Sequence, residues 1–391
     1  MSPVDTATGG AVEPATATML EPVLRETIRV RGAMPFATFM DLCLYHPEHG
    51  YYTRGLGGGG GRDYVTSSGV HSAFGRLVAR QAAEMWRLLG TPHRFRFVEL
   101  GPGEGRFAAD FLAEAARDPS FAAVLEYTLV EKSPALRSRQ ERLLAAVPRP
   151  AWGPCWRSLE ELEADPSSKT ADGCLFANEV LDAFPVHRIA GTPDGPGEIH
   201  VELSGDGYRE TMHPVSTPVL SEYLARHAIA PQPGQIVDVA PEAARFVTRL
   251  GGLLGRGWGL LVDYGEAAAE LFHPVRSRGT LRAFHRHRLS HDLLAHPGEQ
   301  DLTAHVDFTA VRRAATESGW TVAGQVSQAH FLLALGALDD YEAQDVSGRE
   351  RLKDLVMPDR MGGAFQVLVL ARGAAAERIR GLSAPWRERA S

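Results

Sequence analysis

The chain has few of the residues that build a disulfide framework, a cysteine zinc site or a basic nucleic-acid surface. Its 391 residues include only three cysteines, Cys43, Cys155 and Cys174, which lie far apart and form no CxxC pair. Neither a disulfide scaffold nor a cysteine zinc site is expected, and this cysteine usage is typical of a reducing cytoplasm. The formal net charge of −7 gives no general nucleic-acid footprint.

The chain also lacks the segments that target a protein to a membrane or to an export pathway. No apolar run approaches the roughly 18 residues that a membrane span needs. Residues 1–18 contain no Arg or Lys. We therefore expect neither a secretory signal nor an arginine-rich transit peptide, and we predict that residues 1–18 form a disordered tail. From these absences we expect a cytoplasmic protein without a nucleic-acid or membrane partner.

The most informative stretch that is present is a glycine-rich turn after a short apolar run. The run ends at Glu99 and Leu100, and a helix-compatible segment begins at Arg106. Between them lie Gly101, Pro102, Gly103, Glu104 and Gly105. This pattern predicts a buried parallel strand, a tight turn and a helix N-terminus, in which the glycines let the backbone approach a ligand. Alone, it is a weak indication of a nucleotide-like ligand.

A second acid makes that interpretation stronger. The β-rich run Tyr127–Glu131 ends in a carboxylate, which at this place in such a fold can accept both hydroxyls of a ribose. Ser133 and Pro134 then predict the N-cap and first residue of a helix. The alternative ligand is NAD, but the turn reads GxGxG rather than GxGxxG, and Glu104 would repel a pyrophosphate. S-adenosylmethionine (SAM) has no phosphate and a positive sulfonium, so the pattern favours SAM.

The order of predicted elements indicates the fold class. Strand candidates at 173–177, 258–262, 320–323 and 364–370 alternate with helical segments, which predicts an α/β protein with a Rossmann-like, doubly wound, mostly parallel sheet. We assign residues 19–94 to an N-terminal helical and glycine-loop segment, 95–372 to the sheet domain and 373–391 to a C-terminal tail. Two stretches interrupt the pattern, an antiparallel insert at 185–235 and loops with a short helix at 265–318. Such insertions lie over the ligand-binding edge of a sheet and predict a substrate lid.

Three polar residues follow a strand candidate and are predicted to lie at its end and in the first turn of a helix. These are Asn178, Glu179 and Asp182. Either acid could hold a guanidinium in bidentate fashion or act as a general base. The alternative is that they only cap the helix. Because three polar groups cluster at the carboxyl edge of the sheet, we interpret them as part of a site.

Two further groups are more ambiguous. Asp263 and Tyr264 end another strand candidate and could line the substrate pocket, although Asp263 could equally be a buried acid bonded to a neighbouring loop. Asp301, His305 and Asp307 match no common zinc spacing, so we expect no metal there. A substrate-binding loop, or a helix start capped by Asp307, is favoured instead.

Together these motifs resemble the MidA-like family of SAM-dependent methyltransferases, which are related to the mitochondrial complex I assembly factor that dimethylates an arginine. The resemblance covers about residues 34–372. It rests on ordered motifs at residues 44–52, 64–68, 74–76, 99–105, 178–188, 263–265, 279–282, 297–308, 328–333 and 361–365. Many members read Thr-Ala-Pro-Glu where this chain reads Thr66-Ser67-Ser68-Gly69, so an acid of the family is missing here.

The resemblance implies a class I methyltransferase fold with SAM bound at the glycine turn and Glu131. We predict that the cofactor-binding residues are Glu99, Gly101, Pro102, Gly103, Gly105, Glu131 and Asn178. We predict that the catalytic residues are Glu179, Asp182 and Tyr264. The methyl acceptor is either a protein arginine, the leading hypothesis, or a small molecule of a biosynthetic pathway, and a homodimer is possible. A SAM-binding assembly factor without catalysis is the third possibility, but the intact glycine turn and Glu131 argue against it.

Overall fold

The structure is a computed structural model that describes residues 18–56, 67–286, 288–342, 344–375 and 379–384. The glycine loop at 57–61, Thr66 and most of the two predicted tails lie outside these residues. Of the predicted N-terminal tail, the structure describes only Thr18, which is buried and donates its hydroxyl hydrogen to the carbonyl of Pro297.

Helices flank the sheets and connect their strands. They are α1 Glu21–Arg31, α2 Phe36–Tyr45, α3 Ser67–Val70, α4 Ala73–Leu88, α5 Arg106–Ala115, α6 Pro119–Ala122, α7 Pro134–Leu144, α8 Leu159–Ala164, α9 Pro218–Arg226, α10 Pro241–Leu250, α11 Ala268–Leu271, α12 Phe308–Glu317, α13 Gln328–Ala334, α14 Ala337–Glu342, α15 Val346–Val356 and α16 Met361–Ala364. As predicted, Ser133 caps α7 by accepting a hydrogen bond from the N–H of Leu136, and Pro134 begins the helix.

The strands form one large and two small sheets. They are β1 Met34–Pro35, β2 Phe95–Leu100, β3 Leu125–Val130, β4 Trp152–Arg157, β5 Asp172–Asn178, β6 His187–Thr192, β7 Gly195–Ser204, β8 Gly207–Pro214, β9 Ile236–Val239, β10 Arg256–Glu266, β11 Arg282–His285, β12 Arg288–Ser290, β13 Asp301–Thr303, β14 Val306–Asp307, β15 Thr321–Ser327 and β16 Phe365–Arg372.

The large sheet has the order β15-β16-β10-β5-β2-β3-β4, and β14 extends it beside the end of β10. Its strands are parallel except for β16, which runs antiparallel to both of its neighbours. From β2 the chain continues to β3 and β4 on one side of β2. It then crosses over to β5, which lies on the other side of β2. The gap between β2 and β5 is therefore the switch point at which open α/β sheets bind their ligands.

Apolar side chains cover both faces of this sheet, as a parallel sheet requires. On one face, α4 and α5 pack on a cluster of aromatic rings from β2, β3 and β5. The ring of Phe107 stacks on that of Phe176 with centroids 4.2 Å apart, and Phe97 lies beside Phe111 at 4.3 Å. On the other face, β2, β5 and β10 pack against α8, α10 and α12. The aromatic cluster fixes the start of α5, and hence the glycine turn, over the switch point.

The two stretches that interrupt the sheet pattern form smaller sheets. Strands β6, β7, β8 and β9 are joined by β1 in an antiparallel sheet that packs on α1 and α2 at one face and on α9 at the other. The second stretch was expected to be loops with one short helix. The structure instead pairs β11 with β12 and β13 before α12 begins. These strands are three or four residues long, which is too short to produce a clear alternation in the sequence.

Candidate active site

The glycine turn leaves space at the switch point. Gly101, Gly103 and Gly105 all have positive φ angles, of 65°, 54° and 83°. A Cβ atom at Gly103 would meet nothing within 4 Å, whereas one at Gly101 would lie 2.9 Å from Val180. Pro102 between them is buried. The backbone at Gly103 therefore borders open space, and an L side chain there would enter that space and be strained.

Glu131, at the end of β3, is tied to this turn by a glutamine. Its carboxylate accepts hydrogen bonds from the N–H of Ser133, at 2.7 Å, and from the amide of Gln140, at 3.1 Å. The same amide of Gln140 donates to the carbonyl of Gly103 at 2.7 Å, and its oxygen accepts from the indole of Trp156 at 2.8 Å. Burial raises the pKa of Glu131, and the contacts from Ser133 and Gln140 oppose that shift. The acid and the turn are thus held in one fixed relation.

Glu99 is buried within β2, just before the turn, and does not border open space. Its carboxylate is buried in β2 and accepts a 2.7 Å hydrogen bond from the Tyr127 hydroxyl. Burial raises the pKa of Glu99 to about 8, although the bond from Tyr127 lowers it. This geometry suits a residue that supports the turn from beneath.

Glu104 does not present an uncompensated charge to the site. Its carboxylate lies 3.2 Å from Arg106 and 3.8 Å from Arg139. Repulsion of a pyrophosphate by Glu104 is consequently weaker than the sequence argument assumed, because two guanidinium groups screen the acid.

The segment after β5 forms a turn where the sequence predicted the first turn of a helix. The reason lies in Asp263 on β10, which is 1% exposed. One oxygen of Asp263 accepts hydrogen bonds from the N–H groups of Val180, Leu181 and Asp182 at 2.9–3.3 Å. Asp263 is thus the buried, loop-bonded acid that the sequence left as an alternative, and its carboxylate fixes the turn that carries the candidate acids.

Glu179 occupies a strained position at this turn. Its φ angle is 54°, which is rare for a residue other than glycine and is found disproportionately at functional sites. One carboxylate oxygen accepts from the N–H of Ser67 at 3.0 Å and from the Asn178 amide at 2.8 Å. The other atom of that amide, Oδ1, is buried without a hydrogen-bond partner in the described residues. Asn178 therefore has one unused acceptor at the switch point, which a donor on a bound ligand would satisfy.

Asp182 and Asp301 bring further acids to the same place. Asp182 is 6% exposed, and its Oδ1 atom has no hydrogen-bond partner among the described residues. Burial raises the pKa of Asp182 to about 6, and the nearby Tyr264 hydroxyl opposes that shift. Asp301, on β13, is fully buried and accepts a 2.8 Å hydrogen bond from the Tyr52 hydroxyl. Burial raises the pKa of Glu179 to about 8, with further increases from the charges of Asp182 and Asp301.

Two tyrosines from the N-terminal segment bring the turn and β13 together. The ring of Tyr45 stacks on that of Tyr52 at 5.6 Å, and the Tyr45 hydroxyl donates to the carbonyl of Ala183 at 2.9 Å. Ala304, just after β13, donates its N–H to the carbonyl of Asp182 at 3.0 Å. We call Glu179, Asp182 and Asp301 the acidic cluster.

The three polar residues that the sequence grouped together, Asp301, His305 and Asp307, have three different roles in the structure. Asp301 belongs to the acidic cluster. His305 contacts Glu266, with 3.1 Å between Nδ1 and Oε2. Asp307 caps α12, as predicted, by accepting hydrogen bonds from the N–H groups of Thr309 and Ala310.

Several contacts were missed by the sequence interpretation. The sequence gives no indication that Gln140 contacts the site, because a single amide side chain on an amphipathic helix is common. Tyr45 and Tyr52 lie in the motif at residues 44–52, for which the sequence predicted no role in the site. Ser67 lies in the motif at residues 64–68 and was assigned no role; its N–H donates to Glu179, and its hydroxyl donates to Gln328 at 2.9 Å.

No membrane-crossing element accompanies the site: among the described residues, none of the helices combines the length and the apolar character needed to span a bilayer.

Comparison with known proteins places the chain in a family. Residues 77–326, more than half of the chain, match the family model described as "Putative S-adenosyl-L-methionine-dependent methyltransferase". The human protein arginine methyltransferase NDUFAF7, mitochondrial, is 31% identical over 89% of this chain and 83% of its own length. Its Drosophila melanogaster homologue is 30% identical over 91% of this chain and 85% of its own length.

Both relatives are named mitochondrial. These names contradict the prediction of a cytoplasmic protein, which rested on cysteine usage and on the absence of targeting signals.

Comparison with a solved structure supports the same family. A methyltransferase-type protein from Burkholderia thailandensis, crystallised with S-adenosyl-homocysteine, superposes with a TM-score of 0.81. It is 30% identical, and the match covers 93% of this chain and 94% of that one. The predicted class I methyltransferase fold is confirmed, and so is SAM as the cofactor. The chain belongs to the family of SAM-dependent methyltransferases.

Proposed function

We propose that this enzyme transfers the methyl group of SAM to the guanidinium of an arginine in a protein substrate. The observation that carries the proposal is the acidic cluster. Asp182 and Asp301 are buried and Glu179 is half-buried, and the pKa of Glu179 is raised to about 8, first by burial and further by the charges of Asp182 and Asp301. Buried carboxylates so close together are costly unless a cation joins them, and a guanidinium offers both the charge and a planar set of donors.

The names of the relatives support the same acceptor. The human and Drosophila melanogaster proteins are both named protein arginine methyltransferases. A guanidinium would offer the carboxylates of the acidic cluster a positive partner with several donors, which a neutral small-molecule acceptor lacks, so the geometry favours a cationic group.

For the cofactor, we propose that Gly101, Pro102, Gly103 and Gly105 border the bound SAM and that Glu131 accepts its ribose hydroxyls. Asn178 would use its free Oδ1 as an acceptor, and Glu99 would support the turn through Tyr127. Bound SAM supplies a methyl group activated by the positive sulfonium.

For the acceptor, we propose that Glu179 and Asp182 hold the guanidinium and align one nitrogen with the methyl group. Alignment of the two reactants supplies most of the rate enhancement in this kind of transfer. Asp182, with an oxygen that has no partner in the described residues, takes the proton that the methylated nitrogen loses. Tyr264, which lies beside Asp182, lines the pocket and orients that carboxylate.

The test is methylation with isotopically labelled SAM. The purified enzyme is incubated with a mixture of arginine-containing proteins, and the proteins are then hydrolysed to amino acids. Label in methylarginine supports the proposal. Label in methyllysine, or in a small-molecule fraction of a cell extract, would overturn it, and the second result would favour a biosynthetic acceptor.

Two expectations about organisation remain proposals. We propose that residues 95–372 form the methyltransferase domain, with inserts at about 185–235 and 265–318, and that residues 19–94 contribute to the acceptor side through Tyr45 and Tyr52. The homodimer also remains a prediction, which light scattering of the purified protein would test.

A further inference from the structure

A small cavity lies behind the acidic cluster. It has a volume of about 20 Å³, and its lining includes Asp182 and His305. That is room for one water molecule, and the polar lining offers the partners that a buried water needs. Its remaining polar lining comes from Tyr223, Asp238 and Asp307. The cavity thus connects an acid of the acceptor site with a histidine that the proposed reaction does not use.

His305 leads from this cavity toward the surface. Its Nδ1 atom lies 3.1 Å from Glu266, and Glu266 pairs with Arg276 at 2.6 Å. The side chains of His305 and Glu266 are 16% and 25% exposed. The ring of Tyr264 meets that of His305 edge-on, with centroids 5.3 Å apart, and so fixes the orientation of the imidazole. His305 therefore has a polar cavity on one side and an acid near solvent on the other.

We propose that His305, paired with Glu266, relays to solvent the proton that Asp182 takes from the acceptor. This inference rests on the proposed function. Methylation of a guanidinium releases one proton, because the product keeps its single positive charge while the sulfonium loses its own. The proton moves from the guanidinium nitrogen to Asp182, through a water in the cavity to His305, and then to bulk solvent. No oxidant or other reactant is required.

The other polar groups around His305 are less suited to this role. Asp307, on β14, caps α12 through two backbone N–H groups. Asp238, on β9, accepts hydrogen bonds from Arg188 and from the N–H groups of Thr280 and Leu281. Burial raises the pKa of Tyr223, on α9, above its ordinary value, so its hydroxyl stays protonated. An imidazole has two ring nitrogens, of which one can accept a proton while the other donates one, so His305 is suited to pass on the proton that Asp182 takes.

The test is His305→Gln, with the exposed His291→Gln as a matched control. We expect His305→Gln to lower kcat for the arginine substrate about tenfold, with KM and the affinity for S-adenosyl-homocysteine unchanged. His305→Gly, which leaves the space of the ring empty, should lose kcat in the same way, and added imidazole should restore much of that loss and leave the control unaffected. Glu266→Gln, which keeps the size of the side chain and removes its charge, should lower kcat by a smaller factor.

The outcomes distinguish the relay from other roles. A raised KM without rescue by imidazole would mean that His305 only shapes the pocket, and wild-type kcat in a folded His305→Gln would overturn the relay. If His305→Gln does not fold, wild-type kcat in Glu266→Gln would overturn it instead. Absence of methylarginine with the wild-type enzyme counts against the proposed acceptor, whereas normal wild-type activity with unaffected variants counts only against the relay.

Discussion

The two halves of the site are built in opposite ways. The cofactor half is local in sequence, because the glycine turn and Glu131 each follow directly from a strand, and Gln140 ties them together. The acceptor half gathers Asp301, Glu179 and two tyrosines from segments that are distant along the chain. In the cofactor half the carboxylate of Glu131 is satisfied by donors. In the acceptor half Glu179 also accepts two hydrogen bonds, but its pKa is raised by burial and further by the charges of Asp182 and Asp301.

This difference explains why the halves should respond differently to substitution. A change in the cofactor half removes space or a hydrogen bond from a rigid frame, so it should act on cofactor affinity. A change in the acceptor half removes a charge from the acidic cluster, which we propose binds the acceptor cation, so it should act on methyl transfer. The predictions below test that separation, beginning with the largest expected effect.

Gly103→Val should abolish cofactor binding, with at least a hundredfold loss of affinity, or about 2.7 kcal/mol. The valine side chain would enter the open space beside the turn, and its backbone would be strained at a φ of 54°. Titration with S-adenosyl-homocysteine measures the loss. The matched control is Gly205→Val, since Gly205 has a φ of 57° and also borders open space, but lies between β7 and β8. Equal losses in both variants would mean that strain, and not the cofactor pocket, is responsible.

Glu131→Ala should weaken cofactor binding by roughly 1.5–3 kcal/mol, the range for a hydrogen bond to a charged group. Calorimetric titration measures this change. Glu141→Ala is the control, because Glu141 is an exposed acid on the neighbouring α7 that pairs with Arg137. Unchanged affinity in Glu131→Ala would place the ribose elsewhere.

These two predictions also show how far the sequence alone could go. The glycine turn and Glu131 were found because strand, turn and acid are consecutive, and local order is what a sequence displays. The acidic cluster was found only in part, since Asp301 reaches Glu179 through a fold-wide arrangement. The helix expected after β5 was wrong for the same reason: Asp263, more than 80 residues away, takes the N–H groups of the turn. Tertiary contacts of this kind override local propensity.

Glu179→Gln should leave cofactor affinity nearly intact and lower methyl transfer at least tenfold. The substitution keeps the size of the side chain, and its amide oxygen can still accept from Ser67, but the charge that pairs with the guanidinium is lost. Single-turnover measurement with saturating SAM reports the transfer step. Glu222→Gln, an exposed acid on α9, is the control. Wild-type transfer by Glu179→Gln would remove the residue from the catalytic set and favour a small-molecule acceptor.

The pH dependence of kcat/KM should be set by the acceptor half. Burial raises the pKa of Glu179 to about 8, so in the free enzyme the active anion is lost as the pH falls through that value. We expect kcat/KM to fall about tenfold for one pH unit below 8, because each unit below a pKa reduces the ionised fraction tenfold. In Glu179→Gln this decline should shift toward pH 6, where Asp182 titrates. An identical profile in both proteins would assign the decline to another group.

The smallest effect should come from Gln140→Leu, which keeps every proposed binding and catalytic residue but removes the amide that links Glu131 to the turn. Leucine fills a similar volume but cannot donate to Glu131 or to the Gly103 carbonyl, so we expect cofactor affinity to fall about threefold to tenfold. Leucine also leaves the Trp156 indole without its acceptor, which should lower the free energy of unfolding by about 1–3 kcal/mol. Trp156→Phe separates the two effects, because it removes the donor and keeps the contact between Gln140 and Glu131. If Trp156→Phe weakens the cofactor as much as Gln140→Leu does, general loosening of α7 accounts for the result. If only Gln140→Leu does so, the frame of the cofactor half depends on this one amide.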